Sequence, residues 1–183
     1  MLNDAVWGTK MALVVVDPQR KFTLDLPDWE ARMASAVENI NEFTKVFREF
    51  GAPVIFIAFE GESHCNYQGN DGDEWLPGIE TSASDIIVRK QNMNCFKGTD
   101  LEKILRENGI DCAVYTGMLT EFCVISTYFG SSERDVFPYL GKDALIPYYE
   151  EGNRSAQVVC NTLDIPTIRR FLSGEQPPMV IDF

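Results

Sequence analysis

The sequence predicts an α/β fold, a three-layer sandwich built on a mostly parallel, doubly wound, Rossmann-like sheet of about six strands. Short apolar runs rich in Val, Ile and aromatic residues alternate along the chain with longer segments of helical period. The apolar runs are nearly continuous rather than alternating, which is typical of strands that a parallel sheet buries on both faces. Because no linker interrupts this alternation, we expect a single domain over residues 1–183.

The predicted elements follow one another in a simple order. Strands are expected at 11–16, 53–59, 85–88, 112–117 and 136–140. Helices are expected at 29–50, 98–109, 119–134 and 154–172. Thr99 is placed to cap the second helix, while Gly51 and Gly109 are placed to end the first and the second. Pro166 is expected to interrupt the last helix, because proline lacks the N–H that a helix interior requires.

Composition argues against nucleic-acid binding and membrane insertion. The chain has 16 Lys and Arg against 28 Asp and Glu, and its net charge of -12 would repel a phosphate backbone. No apolar run approaches the roughly 18 residues of a membrane span, and the N-terminal residues lack a secretory pattern. We therefore expect a cytoplasmic protein. Its five cysteines are scattered and odd in number, which indicates neither a disulfide framework nor a zinc knuckle.

Chemically useful residues follow several of the predicted strands. In open parallel sheets, sites collect at the carboxyl ends of the strands, and these ends carry Asp17, Glu60, Lys90, the turn 117–123 and Asp143. A thiol becomes a better nucleophile near a helix N-terminus, an ammonium group and a carboxylate, and Cys123 would have all three. Taken singly, each residue also has a structural explanation: Cys123 as a core thiol, Asp17 as a turn residue and Lys90 as a solvated strand end.

Three segments together resemble the isochorismatase-like cysteine hydrolases, over nearly the whole chain. "ALVVVDPQRKF" is similar to the family's first strand and places a catalytic Asp17, followed by Gln19 and Phe22. "VRKQNMNCFKGTDLEKIL" resembles its lysine segment and places Lys90. "VYTGMLTEFCVISTYFGSSERDVFPYLGKDA" resembles its nucleophile segment and places Cys123. The resemblance therefore implies the catalytic residues Asp17, Lys90 and Cys123.

The resemblance also implies a mechanism. Asp17 would take the thiol proton as general base, Lys90 would stabilise the thiolate, and attack on a carbonyl would give an acyl-enzyme that water resolves. Backbone N–H groups of Thr120 and Cys123 would hold the oxyanion, with a non-proline cis bond at Leu119–Thr120. A thiol so placed is expected to titrate well below the ~8.5 of a free cysteine.

Departures from the subfamily patterns bear on cofactors and substrate. Nicotinamidases of the family have a metal site made of an Asp and two histidines, but this chain has a single histidine, His64, so we predict neither metal nor cofactor. Isochorismatases proper cleave a vinyl ether in a dianion without a cysteine nucleophile. The acidic loop 60–80 would disfavour such a substrate, although Arg20, Lys21, Arg89 and Lys97 could partly offset its charge.

The sequence therefore favours a cysteine-dependent, metal-independent hydrolase of a small amide, carbamoyl or ureido C–N bond. Two alternatives stay open, an isochorismatase-type vinyl-ether hydrolase and a non-catalytic binding domain that keeps the fold. The partners expected are a small-molecule substrate and further copies of the chain, as a dimer or tetramer. The candidate substrate-binding residues lie near strand ends, where core packing is an equal explanation for the aromatic ones: Gln19, Phe22, Phe59, Trp75 and Tyr128.

Overall fold

The computed structural model describes residues 10–25 and 29–175. Within these ranges, six strands form one sheet in the order β3-β2-β1-β4-β5-β6, and every neighbouring pair is parallel. The strands are β1 (Met11–Val16), β2 (Val54–Phe59), β3 (Ile86–Lys90), β4 (Cys112–Met118), β5 (Phe137–Ile146) and β6 (Thr162–Leu163). The predicted fold class and parallel sheet are confirmed.

Five α-helices are described, and they cover both faces of the sheet. They are α1 (Trp29–Glu49), α2 (Leu101–Glu107), α3 (Ile125–Ser132), α4 (Gly152–Val159) and α5 (Ile165–Leu172). Successive strand residues point to opposite faces, so Leu13 belongs to the apolar cluster that includes residues of α1 and α5, whereas Val14 belongs to the cluster that includes residues of α2, α3 and α4. These two apolar clusters explain why the predicted strands read as continuous hydrophobic runs.

The segments after β4 and β5 differ from the prediction. A short π-helical turn, Thr120–Val124, precedes α3, so the predicted helix 119–134 is not a regular α-helix at its start. The predicted helix 154–172 is divided by β6. Pro166 does not interrupt a helix but lies in the first turn of α5, where its missing N–H costs no hydrogen bond. The side chain of Asp164 caps this helix by accepting a hydrogen bond from Thr167 N at 3.0 Å.

Two central strands approach each other closely at the end that carries the candidate residues. Val16 of β1 pairs with Gly117 of β4, and a Cβ atom on Gly117 would collide with the backbone of Val16. Gly117 also has a φ of 99°, which favours glycine. Asp17, the next residue of the first strand, has a φ of 44°. β1 thus ends beside Gly117, while β4 continues one residue further, to Met118.

No helix in the described part of the chain is long and apolar enough to cross a membrane. All five cysteines lie in the described ranges and are free thiols, as expected from their number and spacing.

Candidate active site

Three segments of the sheet bring Asp17, Lys90 and Cys123 together. Asp17 follows β1, Lys90 ends β3, and Cys123 lies in the π-helical turn after β4. The Asp17 Oδ2 and Lys90 Nζ atoms are 2.7 Å apart, and both side chains are almost completely buried. Cys123 is 9% exposed, and its thiol interacts electrostatically with both groups. The structure therefore assembles the three residues that the sequence singled out.

The Lys90 ammonium group is held from several directions. Besides Asp17, it donates a hydrogen bond to the carbonyl oxygen of Met93 at 2.9 Å. Its nitrogen also lies 5.7 Å from the centroid of the Phe59 ring, within the range of a cation–π interaction. With these contacts, the charge has a fixed position beside the thiol.

Burial and charge set the ionisation of the three groups. Burial raises the pKa of Asp17, although Lys90 opposes this shift. Burial also raises the pKa of the Cys123 thiol, and the negative charge of Asp17 raises it further, while Lys90 lowers it. Burial alone would lower the pKa of Lys90, but the neighbouring Cys95, Asp17 and Cys123 raise it above its ordinary value. The arrangement favours a neutral thiol beside a charged Lys90.

This direction is opposite to the acidic thiol that the sequence led us to expect. The prediction counted the helix N-terminus, the ammonium group and the carboxylate together as groups that favour the thiolate of Cys123. In the structure the carboxylate of Asp17 counteracts Lys90, and the low polarity of the buried site penalises the thiolate. Cys123 is therefore a neutral thiol with Asp17 beside it as a general base, rather than a thiolate in the resting protein.

A cavity of about 470 Å³ opens onto Cys123. Most of its lining side chains are aromatic or aliphatic, and the polar ones come from the loop after β2 and the residue after β3. The lining residues are Phe22, Phe59, Glu62, Ser63, His64, Cys65, Gln91, Met93, Leu119, Phe122, Cys123, Tyr148 and Tyr149. Of the candidate substrate-binding residues, Phe22 and Phe59 line this cavity, with their ring centroids 5.7 Å apart.

The structure places Gln19, Trp75 and Tyr128 elsewhere. Gln19 joins two strand ends, since its Oε1 accepts from Phe59 N at 2.7 Å and its Nε2 donates to Phe59 O at 3.3 Å. Trp75 packs on Phe56 and, with Gln19, borders a separate cavity of about 930 Å³. Tyr128 is a buried residue of α3, and its hydroxyl oxygen accepts from Asn161 N at 2.8 Å.

Several cavity residues were missed by the sequence reasoning. Phe122 adjoins the cysteine and could have been included for that reason. Tyr148 and Tyr149 follow β5, which runs to Ile146, whereas the predicted strand stopped at residue 140. Had the full strand been predicted, both tyrosines would have been included as residues near the carboxyl end of a parallel strand, where sites collect.

The turn that carries Cys123 is tied to this tyrosine segment. The Glu121 carboxylate accepts hydrogen bonds from the backbone N–H groups of Tyr148 and Tyr149, both at 2.8 Å. Thr120 Oγ1 and Asn153 Oδ1 are hydrogen-bonded at 2.7 Å. Glu121, two residues before the nucleophile, therefore holds the tyrosine segment that forms one wall of the cavity, and Thr120 ties the same turn to α4.

The cis peptide bond lies one residue earlier than the resemblance implied, at Met118–Leu119 rather than Leu119–Thr120. β4 keeps its pairing through Met118, which is opposite Ile146, and the helical turn begins at Thr120. The backbone of Leu119, between the strand and the turn, is extended, so the chain changes direction before Leu119. The residue after the cis bond is thus Leu119, whereas the residue three positions before Cys123 is Thr120.

The basic residues near loop 60–80 pair with its carboxylates. Arg20 Nη1 lies 2.7 Å from Asp71 Oδ2, and the Lys21 ammonium group pairs with Asp73. Arg89 Nη1 lies 3.3 Å from Glu60 Oε1. Among the described residues, no group of three or more His, Cys, Asp or Glu side chains is arranged to hold a metal ion.

Comparison with known proteins identifies the family. The model of the isochorismatase domain matches residues 11–158. The chain belongs to the isochorismatase family. Among curated relatives of this family member, the uncharacterized isochorismatase family protein YrdC of Bacillus subtilis is 32% identical over 138 residues, which are 74% of this chain and 73% of YrdC.

Other relatives of this isochorismatase-family chain have named activities. Ureidoacrylate amidohydrolase RutB of Yersinia enterocolitica is 26% identical over 176 residues, with 72% of this chain and 76% of RutB covered. The solved N-carbamoylsarcosine amidase of Thermoplasma acidophilum is 26% identical with a TM-score of 0.70, and the match covers 85% of this chain and 95% of the amidase. The family therefore includes hydrolases, among them amidohydrolases of C–N bonds.

Proposed function

We propose that this isochorismatase-family hydrolase cleaves a small amide, carbamoyl or ureido C–N bond through a thioester acyl-enzyme on Cys123, without a metal ion. The observation that carries the proposal is the position of the Cys123 thiol, at an apolar cavity and beside the buried Asp17–Lys90 pair. A nucleophile, a base and a fixed positive charge are the groups that acyl transfer requires. The names of the amidase and amidohydrolase relatives support this class of reaction.

The first half of the reaction forms the thioester. As Cys123 Sγ attacks the substrate carbonyl carbon, the thiol proton passes to the Asp17 carboxylate. A buried carboxylate with a raised pKa is a stronger base than an ordinary one, and this suits it to the proton transfer. Lys90 stays protonated and offsets the negative charge that develops near sulfur. The oxyanion would be stabilised by the backbone N–H groups of Thr120 and Cys123.

The second half releases the products. Collapse of the tetrahedral intermediate breaks the C–N bond, and the leaving nitrogen receives the proton from Asp17. The restored carboxylate then takes a proton from water as the water oxygen attacks the thioester carbonyl. The C–S bond breaks, the acid leaves, and the sulfur recovers its proton from Asp17. All proton transfers are thus acid–base steps between Asp17 and the reacting groups. With a single histidine, the chain cannot form a multi-histidine metal site.

The test combines turnover with trapping of the intermediate. Ammonia release from primary amides, carbamates and ureas is measured for the wild type, Cys123→Ala and Asp17→Asn. Acid-quenched samples are examined by intact mass spectrometry and peptide mapping. We expect an acyl adduct on Cys123 in the wild type and loss of turnover by about a thousandfold or more in both variants.

Cys160→Ala is the matched control, because it removes another buried thiol that lies outside the lining of the cavity. It should keep its turnover. Full activity of Cys123→Ala would contradict the proposal. An isochorismatase-type vinyl-ether hydrolase would release no ammonia from these compounds; with a vinyl-ether substrate it would be active in the wild type and in Cys123→Ala but not in Asp17→Asn. A non-catalytic domain would show neither turnover nor adduct.

A further inference from the structure

The cavity above Cys123 is apolar where it is deep and polar only at its mouth. Phe22, Leu119 and Cys123 are buried. By contrast, the lining residues Glu62, His64 and Gln91 are exposed. The group of a substrate that reaches the deep part therefore meets aromatic and aliphatic carbon rather than hydrogen-bonding side chains.

Aromatic side chains line the cavity in two groups. One is the Phe22–Phe59 pair, in which Phe59 ends β2 and Phe22 lies in the turn after β1. The other is Phe122 with Tyr148, whose ring centroids are 5.7 Å apart at an interplanar angle of 88°. Tyr149 continues this second group toward the mouth, with its ring centroid 4.9 Å from that of Tyr148. A ring or a branched hydrocarbon packs against such side chains better than a small polar group does.

No arginine or lysine is among the residues that line this cavity in the described part of the chain. Nearby cations are already engaged: Lys90 with Asp17, and Arg89 with Glu60. Lys21 donates to the carbonyl oxygens of Phe59 at 3.1 Å and Gly61 at 3.0 Å, besides pairing with Asp73. A carboxylate in the deep cavity would lose its water without gaining a positive partner.

From these contacts we infer that the cavity binds an uncharged amide whose acyl group is a hydrocarbon about the size of a phenyl ring, and rejects acyl groups that carry a carboxylate. The inference rests on the proposed function for its chemistry, since the carbonyl must reach Cys123. It separates this chain from the relatives named for ureidoacrylate and N-carbamoylsarcosine, because both of those compounds are carboxylates. The chain's net charge of -12 also disfavours anionic substrates.

Matched primary amides test the inference. Benzamide and cyclohexanecarboxamide carry the expected acyl group, 4-carbamoylbenzoate adds a carboxylate to the ring, and acetamide lacks the ring. We expect kcat/KM for the two uncharged ring amides to exceed that for 4-carbamoylbenzoate by about tenfold or more. We also expect kcat/KM for the two ring amides to exceed that for acetamide by about tenfold or more, since acetamide leaves most of the cavity empty. Equal or faster turnover of 4-carbamoylbenzoate would overturn the inference.

A binding measurement separates failure of the inference from failure of the proposed function. Dissociation constants for the same compounds are measured by calorimetry on Cys123→Ala, which cannot form the thioester. If the wild type turns over no amide but Cys123→Ala still binds benzamide at least about tenfold more tightly than 4-carbamoylbenzoate, the function is wrong and the inferred ligand class stands. If the variant shows no such preference, the inference is wrong as well.

A charge added at the mouth should change the preference. Tyr149 is 61% exposed and lines the cavity, so Tyr149→Arg can place a guanidinium group near a bound carboxylate with little cost to folding. We expect it to reduce the ratio of benzamide to 4-carbamoylbenzoate turnover by about fivefold or more. Phe129→Arg is the charge-matched control, because Phe129 is 48% exposed but is not a lining residue. An equal effect of the two variants would contradict a local role of the cavity.

Discussion

Asp17 Oδ2 and Lys90 Nζ lie 2.7 Å apart although their residues come from strands that are not neighbours. β2 separates β1 from β3, so the two side chains meet above the carboxyl end of β2. Both charges are buried, and Cys123 is affected by them in opposite directions. The reactivity of Cys123, the pH dependence of turnover and the free energy of unfolding should all reflect this arrangement.

Removing the carboxylate should make the thiol more reactive while it abolishes turnover. Asp17 raises the pKa of Cys123, whereas Lys90 lowers it. We therefore expect Asp17→Asn to speed the alkylation of Cys123 by iodoacetamide at neutral pH by about tenfold or more, and Lys90→Met to slow it. The rates are measured against pH, with modified sites located by peptide mass mapping. Faster alkylation of Lys90→Met than of the wild type would contradict this account.

The pH profile of kcat/KM should have an acid limb above the ~3.9 of an ordinary aspartate. Asp17 must be ionised to act as base, and burial raises its pKa, so activity is lost as the pH falls through that raised value. The neutral thiol gives no additional limb near the ~8.5 of a free cysteine. Activity that instead rises through this higher pH region would indicate that a resting thiolate is the reactive form.

Breaking the buried pair on one side should cost more stability than removing both charges. Lys90→Met leaves the buried carboxylate of Asp17 without its partner, which is expected to lower the free energy of unfolding by about 3–5 kcal/mol. The double variant Asp17→Asn, Lys90→Met removes both charges and should recover most of that loss. Urea unfolding measures the difference.

The control for this stability experiment is Arg106→Met. It breaks an exposed pair with Glu102, whose atoms lie 2.8 Å apart, and should cost less than about 1 kcal/mol. A double variant that is less stable than Lys90→Met would show that the two charges are not coupled as the 2.7 Å contact indicates.

Glu121 should act as a positioning residue for the tyrosine wall. Its two oxygens accept from two N–H donors, and Glu121→Gln keeps the size of the side chain but has a single acceptor oxygen. We expect KM for benzamide to rise by about three- to tenfold with a smaller change in kcat. Hydrogen exchange at Tyr148 and Tyr149 should become faster in the same variant.

Glu133→Gln is the matched control for this effect, since Glu133 has a 78% exposed side chain at the end of α3. It should leave KM and exchange unchanged. A fall in kcat at constant KM in Glu121→Gln would indicate that Glu121 acts on the nucleophile rather than on the wall.

The sequence was sufficient to predict those features of the fold and the site that depend on local pattern along the chain. Asp17 and Lys90 lie at strand ends and Cys123 lies in the turn that follows a strand, and parallel strands bring their carboxyl ends to one edge, so their meeting could be expected. Gln19 also lies close to a strand end and Trp75 lies in the loop after β2, but which cavity a side chain borders depends on contacts with distant residues such as Phe59 and Phe56. No pattern along the chain contains that information.

The ionisation of the thiol could not be predicted for a related reason. The sequence identified the neighbours of Cys123, yet the sign of the pKa shift depends on how deeply the group is buried and on how Asp17 and Lys90 balance. The extent of β5 was underestimated because Gly141, Lys142 and Asp143 are atypical of a strand. The two tyrosines beyond it were missed in consequence.

The close contact between Val16 and Gly117 has a consequence for how this protein can diversify. Because the backbones of β1 and β4 meet there without room for a side chain, the spacing from base to nucleophile is set by the pairing of two central strands. Most of the residues that line the cavity, in contrast, come from the segments after β2, β3 and β5. Substitutions in these segments can alter which molecules are accepted while the reacting groups keep their separation.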